Sequence, residues 1–248
     1  MKQALLAICF AGAVLAQTAT KSTPAAKAAT PAAPAADLLH PATLNRMAPA
    51  VYRVKLATTK GDIIIEVTRS LAPHGADRFY NLVRSGYFTD CAFYRVIPNF
   101  MAQFGISARP EVNRAFQGAT IPDDPRNAQS NTRGKVTFAS TGAPNSRNNA
   151  LFINLVDNKY LDTQGFVPIG EVVEGMGTVD MLYNGYGATE NHQPDFENGG
   201  KAYVDRSFPK LDRILTATIL PATPAGTPAA PAAAPKSTTK STTAGPKT

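Results

Sequence analysis

From residue 52 the chain alternates apolar and polar side chains through Tyr52-Arg53-Val54-Lys55-Leu56-Ala57-Thr58, turns at Lys60-Gly61-Asp62, and continues through Ile63-Ile64-Ile65-Glu66-Val67. A period of two puts one face on a core, so two such runs around a Gly-Asp turn read as a β-hairpin. Over residues 76–87 the period changes. Phe79, Leu82 and Val83 share one helical face and Gly86 closes the stretch, which predicts a short amphipathic helix. Further short apolar runs, punctuated by Pro, Gly and Asn, lie at 93–97, 101–104, 135–139, 151–155, 166–171 and 215–220 and read as strands. Residues 179–183 read as a second short helix. Many short strands, two helices and no regular βαβ alternation predict a closed antiparallel barrel rather than a parallel sheet.

The pattern stops outside residues 48–220. Residues 4–16 are an unbroken apolar run behind Lys2, ending in small residues before Gln17 and Thr18. A positive start and about a dozen apolar residues predict a secretory signal peptide cleaved after Ala16, because about 20 would be needed to span a bilayer. Its loss would remove Cys9, leave Cys91 as the only thiol, and leave no integral membrane span. An exported protein, periplasmic or extracellular, is the expectation. Residues 17–47 and 221–248 are Ala, Pro, Thr, Ser and Lys with few large apolar side chains, and such segments cannot bury enough surface to offset the entropy of ordering. Both are therefore expected to be disordered arms flanking one folded domain at 48–220.

The arms also account for the charge. The chain has 248 residues and a formal net charge of +7, from 25 Lys and Arg against 18 Asp and Glu. Lys2, Lys21, Lys27, Arg46, Lys236, Lys240 and Lys247 all lie outside 48–220, against Asp37 alone. That leaves 18 basic and 17 acidic groups in the domain, nearly neutral, and argues against nucleic acid as a partner. The basic arms read as linkers, or as a tether to an anionic surface. Without heptads, the chain is expected to be a monomer.

Elimination narrows the chemistry. Of His40, His74 and His192, none has a Cys or acid at ligand spacing, so no metal site is expected. There is no G-x-S-x-G elbow and no P-loop, and Gly175 and Gly177 lack a third glycine. What remains is a dense apolar stretch that carries one Arg and one Gln.

That stretch, Phe93-Tyr94-Arg95-Val96-Ile97-Pro98-Asn99-Phe100-Met101-Ala102-Gln103-Phe104-Gly105, resembles the signature of cyclophilin-type peptidyl-prolyl cis-trans isomerases. The resemblance continues in order through Lys60-Gly61-Asp62, Ala76-Asp77-Arg78-Phe79-Tyr80-Asn81-Leu82-Val83, Gly134-Lys135-Val136-Thr137-Phe138-Ala139, Leu151-Phe152-Ile153-Asn154, Gly170-Glu171-Val172-Val173-Glu174-Gly175-Met176 and Phe208-Pro209-Lys210-Leu211-Asp212. It implies a mainly β fold, a closed eight-stranded antiparallel β-barrel capped by two short helices. It also implies an enzyme that accelerates rotation about X-Pro bonds in proline-containing polypeptide clients and so assists protein folding. No bond is made or broken in that reaction, so neither nucleophile nor cofactor is required.

By the same resemblance Arg95 donates to the prolyl nitrogen and Gln103 anchors substrate backbone and the Arg. Phe100, Met101, Phe152 and Leu161 match the proline pocket, Phe166 its wall where the family has His, and Ala139 and Ser140 the backbone that pairs with substrate. Ser140 stands where the family has Asn. Three departures bear on activity. Ala150 occupies the place of a Gln donor, which allows the alternative of a prolyl-peptide binding module or chaperone with weak or lost catalysis. Tyr160 replaces a Trp, which removes an indole donor and implies weak cyclosporin binding. Phe166 keeps the wall apolar, with a one-residue ambiguity from the Thr163-Gln164-Gly165 loop.

Overall fold

A computed structural model describes residues 38–221. The expected signal peptide and the tail from 222 onward lie outside the described residues, as does the first part of the expected N-terminal arm. Nine strands form one antiparallel sheet, in spatial order β3-β9-β1-β2-β8-β6-β7-β5-β4. They are β1 (Val51–Thr58), β2 (Gly61–Thr68), β3 (Cys91–Ala92), β4 (Arg95–Ile97), β5 (Met101–Phe104), β6 (Lys135–Phe138), β7 (Leu151–Asn154), β8 (Pro168–Glu174) and β9 (Arg213–Ile219). The helices are α1 (Pro73–Arg84), α2 (Pro110–Phe116), α3 (Met176–Asp180) and α4 (Gln193–Ser207). Among the described residues no helix is long and apolar enough to cross a membrane.

The eight-stranded closed barrel is corrected to a curled nine-stranded sheet with β3 and β4 at its two ends. The cause lies in the run at 93–97, read as one strand. Phe93 and Tyr94 are both buried, the Phe93 N–H donates to the Asp212 carbonyl at 2.9 Å, and the strand breaks there. Cys91 and Ala92 pair with β9 while Arg95, Val96 and Ile97 pair with β5. One continuous piece of chain thereby joins the two ends of the sheet.

The β1–β2 hairpin forms as its alternation predicts, with Val54, Leu56, Ile63, Ile65 and Val67 fully buried. α1 packs Phe79, Leu82 and Val83 into the same core, beside Phe138, Ile153 and Ile169. It begins three residues earlier than the expected start at Ala76 because Pro73 pre-sets the first helical φ and needs no N–H partner. The helix expected at 179–183 forms over Met176–Asp180 instead, where only Val179 is buried.

Two further helices escape the periodicity. α2 has only seven residues. α4 contains Gly199-Gly200, and Gly200 at φ +52° kinks it. A Cβ there would fall 2.4 Å from the Ala108 carbonyl oxygen, so close approach requires glycine. α4 closes a second apolar cluster of Ala92, Tyr94, Ile106, Phe196, Val204 and Leu211 against the outside of the strand break.

Residues 38–47, expected to belong to a disordered arm, are packed on the domain instead. Leu38 is fully buried in the main core and Leu44 packs against it. The backbone of Arg46 exchanges hydrogen bonds with the Asn81 carboxamide at 3.1 and 2.7 Å, and the Ala48 N–H donates to Asp77 at 2.8 Å. A few apolar side chains among alanines and prolines suffice because α1 supplies the polar partners.

A buried ion pair fixes the start of α1. Asp124 and Arg147, with side chains 0% and 3% exposed, meet at 2.7 Å. The same carboxylate accepts the His74 and Gly75 N–H groups at 2.7 and 2.9 Å, two of the donors a helix leaves unsatisfied at its start. Removing one member of such a pair strands a buried charge, a loss of about 3–5 kcal/mol. Asp124→Ala is expected to lower unfolding stability by at least about 3 kcal/mol by urea titration, with Asp124→Asn in between.

Candidate active site

The antiparallel register sets the site. Arg95 lies opposite Gln103, Gln103 opposite Phe152, and Phe152 opposite Thr137, across β4, β5, β7 and β6. Directly opposed residues share a face, so these four side chains form one row. Their neighbours along each strand, Val96, Ala102, Phe104, Leu151, Ile153, Val136 and Phe138, point into the main core. The row therefore faces outward, away from α1.

Beside it, Met101, Phe152 and Leu161 form a small buried apolar cluster with Ile97, Phe100, Ala139 and Phe166 partly buried around them. The Phe152 and Phe166 rings meet edge-on at 5.9 Å between centroids, and Phe100 stacks on Tyr160 at 6.3 Å. The structure thus brings together all five of the residues expected to form the pocket and its wall, Phe100, Met101, Phe152, Leu161 and Phe166. Tyr160, 54% exposed, stands at the rim. Arg95 donates through Nη1 to Gln103 Oε1 at 3.3 Å, and its guanidinium carbon lies 6.0 Å from the Phe100 ring centroid. A permanently charged fork lies at the edge of an apolar slot, next to an amide.

Ala139 and Ser140 follow β6 along the other rim. The Ala139 N–H donates to the Ala150 carbonyl at 2.9 Å. The Ser140 hydroxyl lies 2.9 Å from that of Ser146 and accepts the Gly142 N–H at 3.0 Å, so its side chain is engaged within the loop. That loop is held from behind: Asp123 and Asn145 exchange two hydrogen bonds of 2.8 Å, and Arg147 reaches both Asp123 and the buried Asp124. Ala150 precedes β7 by one residue, in the alternation that buries Leu151 in the core and turns Phe152 to the slot. It is on the slot side. Gly105 stands against it, and a Cβ on Gly105 would come within 2.8 Å of the Ala150 Cα.

The sequence reading missed the polar ladder beneath the slot. The Asn158 side chain donates to the Phe100 carbonyl and to Asn154 Oδ1, both at 2.8 Å, and the Asn158 carbonyl accepts the Leu161 N–H at 2.9 Å. Asn131 donates to the Phe166 carbonyl at 2.8 Å and to Asp162 at 2.7 Å, and accepts from the Thr137 hydroxyl at 2.8 Å. Asn131 and Asn154 are fully buried and Asn158 nearly so. Three carboxamides thus tie the turn carrying Phe100, the segment carrying Leu161 and the loop carrying Phe166 to the strands. A lone Asn reads as a loop residue, so only the four-residue spacing of Asn154 and Asn158 behind Phe152 held a hint.

Cys91 takes no part in the chemistry. Burial pushes its thiol up to about 12, and its Sγ accepts the Gly105 N–H at 3.3 Å. It remains a protonated core side chain.

Row, slot and flanking backbone together make an apolar depression bordered by a guanidinium, an amide and exposed backbone. Comparison with known proteins gives it a family. The model of the cyclophilin type peptidyl-prolyl cis-trans isomerase/CLD family matches residues 53–198. Peptidyl-prolyl cis-trans isomerase B of Escherichia coli is 34% identical over 136 residues, 52% of this chain and 82% of its own length. A peptidyl-prolyl cis-trans isomerase of Acinetobacter baylyi is 34% identical over 135 residues, 53% of this chain and 71% of its own. A cyclophilin from Cryptosporidium parvum, 21% identical, shares the fold at a TM-score of 0.51 over 69% of this chain and 98% of that one. The same protein was also solved in the presence of the dipeptide Ala-Pro. The chain belongs to the cyclophilin-type peptidyl-prolyl cis-trans isomerases, and peptidyl-prolyl isomerisation is its function.

Asp162 makes the ladder sensitive to acid. Burial pushes its carboxyl up, but the Ser130 hydroxyl and the N–H and carboxamide of Asn131 outweigh that and hold it below the ordinary value. A carboxyl lowered by folding stabilises the protein above its unfolded value of about 3.9, and that contribution fades as pH falls through the folded value. The urea midpoint is expected to fall between about pH 5 and 3. Asp162→Asn, already less stable at neutral pH, is expected to fall less over the same interval.

Proposed function

We propose that Arg95 is the catalytic donor, that Met101, Phe152, Leu161, Phe100 and Phe166 receive the proline ring, and that Gln103, Ala139 and Ser140 hold the flanking backbone. The observation that carries this reading is the row in which the Arg95 guanidinium, bonded to Gln103, borders the apolar cluster. Rotation about an X-Pro bond faces about 18–20 kcal/mol because the nitrogen lone pair is delocalised into the carbonyl. At the twisted state that lone pair is localised on a pyramidal nitrogen and accepts a hydrogen bond. A donor already in place favours that state over either planar isomer, and differential binding of this kind is the whole of the catalysis. The buried slot keeps the ring fixed while the carbonyl side turns. The backbone beyond β6 is where an extended peptide would add as a further short strand.

The finer assignments follow from the sequence and are part of this proposal. The clients are proline-containing polypeptides met outside the cytoplasm, in the periplasm or beyond, since residues 4–16 have the form of a cleaved signal. The protein acts as a monomer. Tyr160 at the rim offers a hydroxyl but no indole N–H, which weakens cyclosporin binding.

Exchange NMR on a short prolyl peptide tests the assignment. Arg95→Ala is expected to lower kcat/KM by about 10²–10³-fold without changing the urea midpoint, and Arg95→Lys to recover little because a point charge lacks the planar fork. Peptide binding by the wild type with no acceleration would identify a binding module instead. Ala150→Gln is expected to raise kcat/KM by about five- to thirtyfold, the worth of one added hydrogen bond at about 1–2 kcal/mol. An unchanged or lower value would show that this position does not limit the rate.

A further inference from the structure

The chain carries Ala-Pro bonds of its own beyond its last strand. Strand β9 ends at Ile219, the Leu220 N–H donates to the Arg53 carbonyl at 2.9 Å, and the described residues end at Pro221. Beyond that point residues 222–248 contain Thr223-Pro224, Thr227-Pro228, Ala230-Pro231, Ala234-Pro235 and Gly245-Pro246, with no Val, Ile, Leu, Met, aromatic or acidic side chain. We propose that this C-terminal tail, through Ala230-Pro231 and Ala234-Pro235, is an intramolecular ligand and substrate of the slot formed by Arg95, Phe100, Met101, Phe152 and Leu161. The proposal rests on the reading of that slot given above.

Three features support it. The first is chemistry: the slot offers an apolar ring pocket with peptide-binding backbone beside it, and each Ala-Pro pair presents a ring behind a methyl group too small to clash. The second is composition: residues 222–248 carry no large apolar side chain that would compete with proline for an apolar slot. The third is reach. Pro231 and Pro235 follow Pro221 by 10 and 14 residues. At about 3.1 Å per residue for extended proline-rich chain these span at most roughly 31 and 43 Å, and residues 222–248 together roughly 84 Å, against a diameter of roughly 40 Å for a domain of the described size. The N-terminal Ala33-Pro34 is a poorer candidate, because Leu38, four residues on, is anchored in the core.

A tethered ligand is present at an effective concentration in the millimolar range. For an affinity of about 1 mM, the tail then occupies about half of the slots, and a free peptide must compete with it. The tail thereby sets a threshold: clients that bind more tightly displace it and weak ones do not.

The test uses the full chain. In wild type, NMR exchange at Ala230-Pro231 and Ala234-Pro235 is expected to be at least about tenfold faster than the uncatalysed tens to hundreds of seconds, and to return to the uncatalysed rate in Arg95→Ala. The rate is expected to be independent of protein concentration. Replacing all five tail prolines by alanine is expected to lower the apparent KM for an added Ala-Ala-Pro-Ala peptide about twofold at unchanged kcat. If wild type accelerates the added peptide while its own tail exchanges at the uncatalysed rate, this inference fails and the assignment of the slot stands. If neither is accelerated, the assignment itself fails. Tail exchange that rises with protein concentration would also overturn the proposal, by showing that the tail is reached on a second copy.

Discussion

Strand register is the constraint on which everything else depends. Arg95, Gln103, Phe152 and Thr137 come from four strands separated by loops of very different length, yet they line up because each pair is directly opposed. A slip of one residue in any of these pairings would send Phe152 or Gln103 into the core and Ile153 or Ala102 to the slot. The core prevents that slip. Leu151, Ile153, Val136 and Phe138 are fully buried against α1, so the large apolar side of the sheet holds the outer side in place.

Two of the sheet's apolar clusters, the main core and the one proposed to receive substrate, thus lie on opposite faces. The second is kept open by polar means. Asn131, Asn154 and Asn158 fasten the backbone of Phe100, Leu161 and Phe166, leaving their side chains to form a wall rather than collapse on one another. Buried carboxamides of this kind are tolerable because nearly every donor and acceptor finds a partner, and they rigidify the site for the same reason. The Asp124–Arg147 pair does similar work behind the Ala139–Ser140 rim. A reaction without bond making asks for rigid placement of a few groups, and a nearly neutral domain supplies it. The +7 of the whole chain belongs to its ends.

How far the sequence could be read depended on how local each signal was. The β1–β2 hairpin and α1 were legible because their periods are written in consecutive residues. Arg95, Gln103 and the apolar wall were legible through an ordered set of motifs, which the fold then gathered into one place. The break at Phe93–Tyr94 was not, because a run of apolar residues looks the same whether it pairs with one strand or divides between two. α4 was hidden by Gly199-Gly200, whose purpose is visible only where the Ala108 carbonyl packs against it. Leu38 and Leu44 were hidden among alanines and prolines, since their burial depends on Asn81 and Asp77 of α1 reaching back for the adjoining backbone.

By itself the sequence determined the family, and it picked out the side chains proposed to receive a proline, since these follow from short-range patterns and residue identity. The tertiary structure decided the rest: an open nine-stranded order in place of a closed eight-stranded one, an earlier start to the packed chain, and the asparagine ladder that shapes the slot. Each of those depends on pairing between residues far apart in the chain. Such pairing is settled by which partners satisfy buried polar groups and fill space together, and no stretch of sequence read alone contains both halves of it.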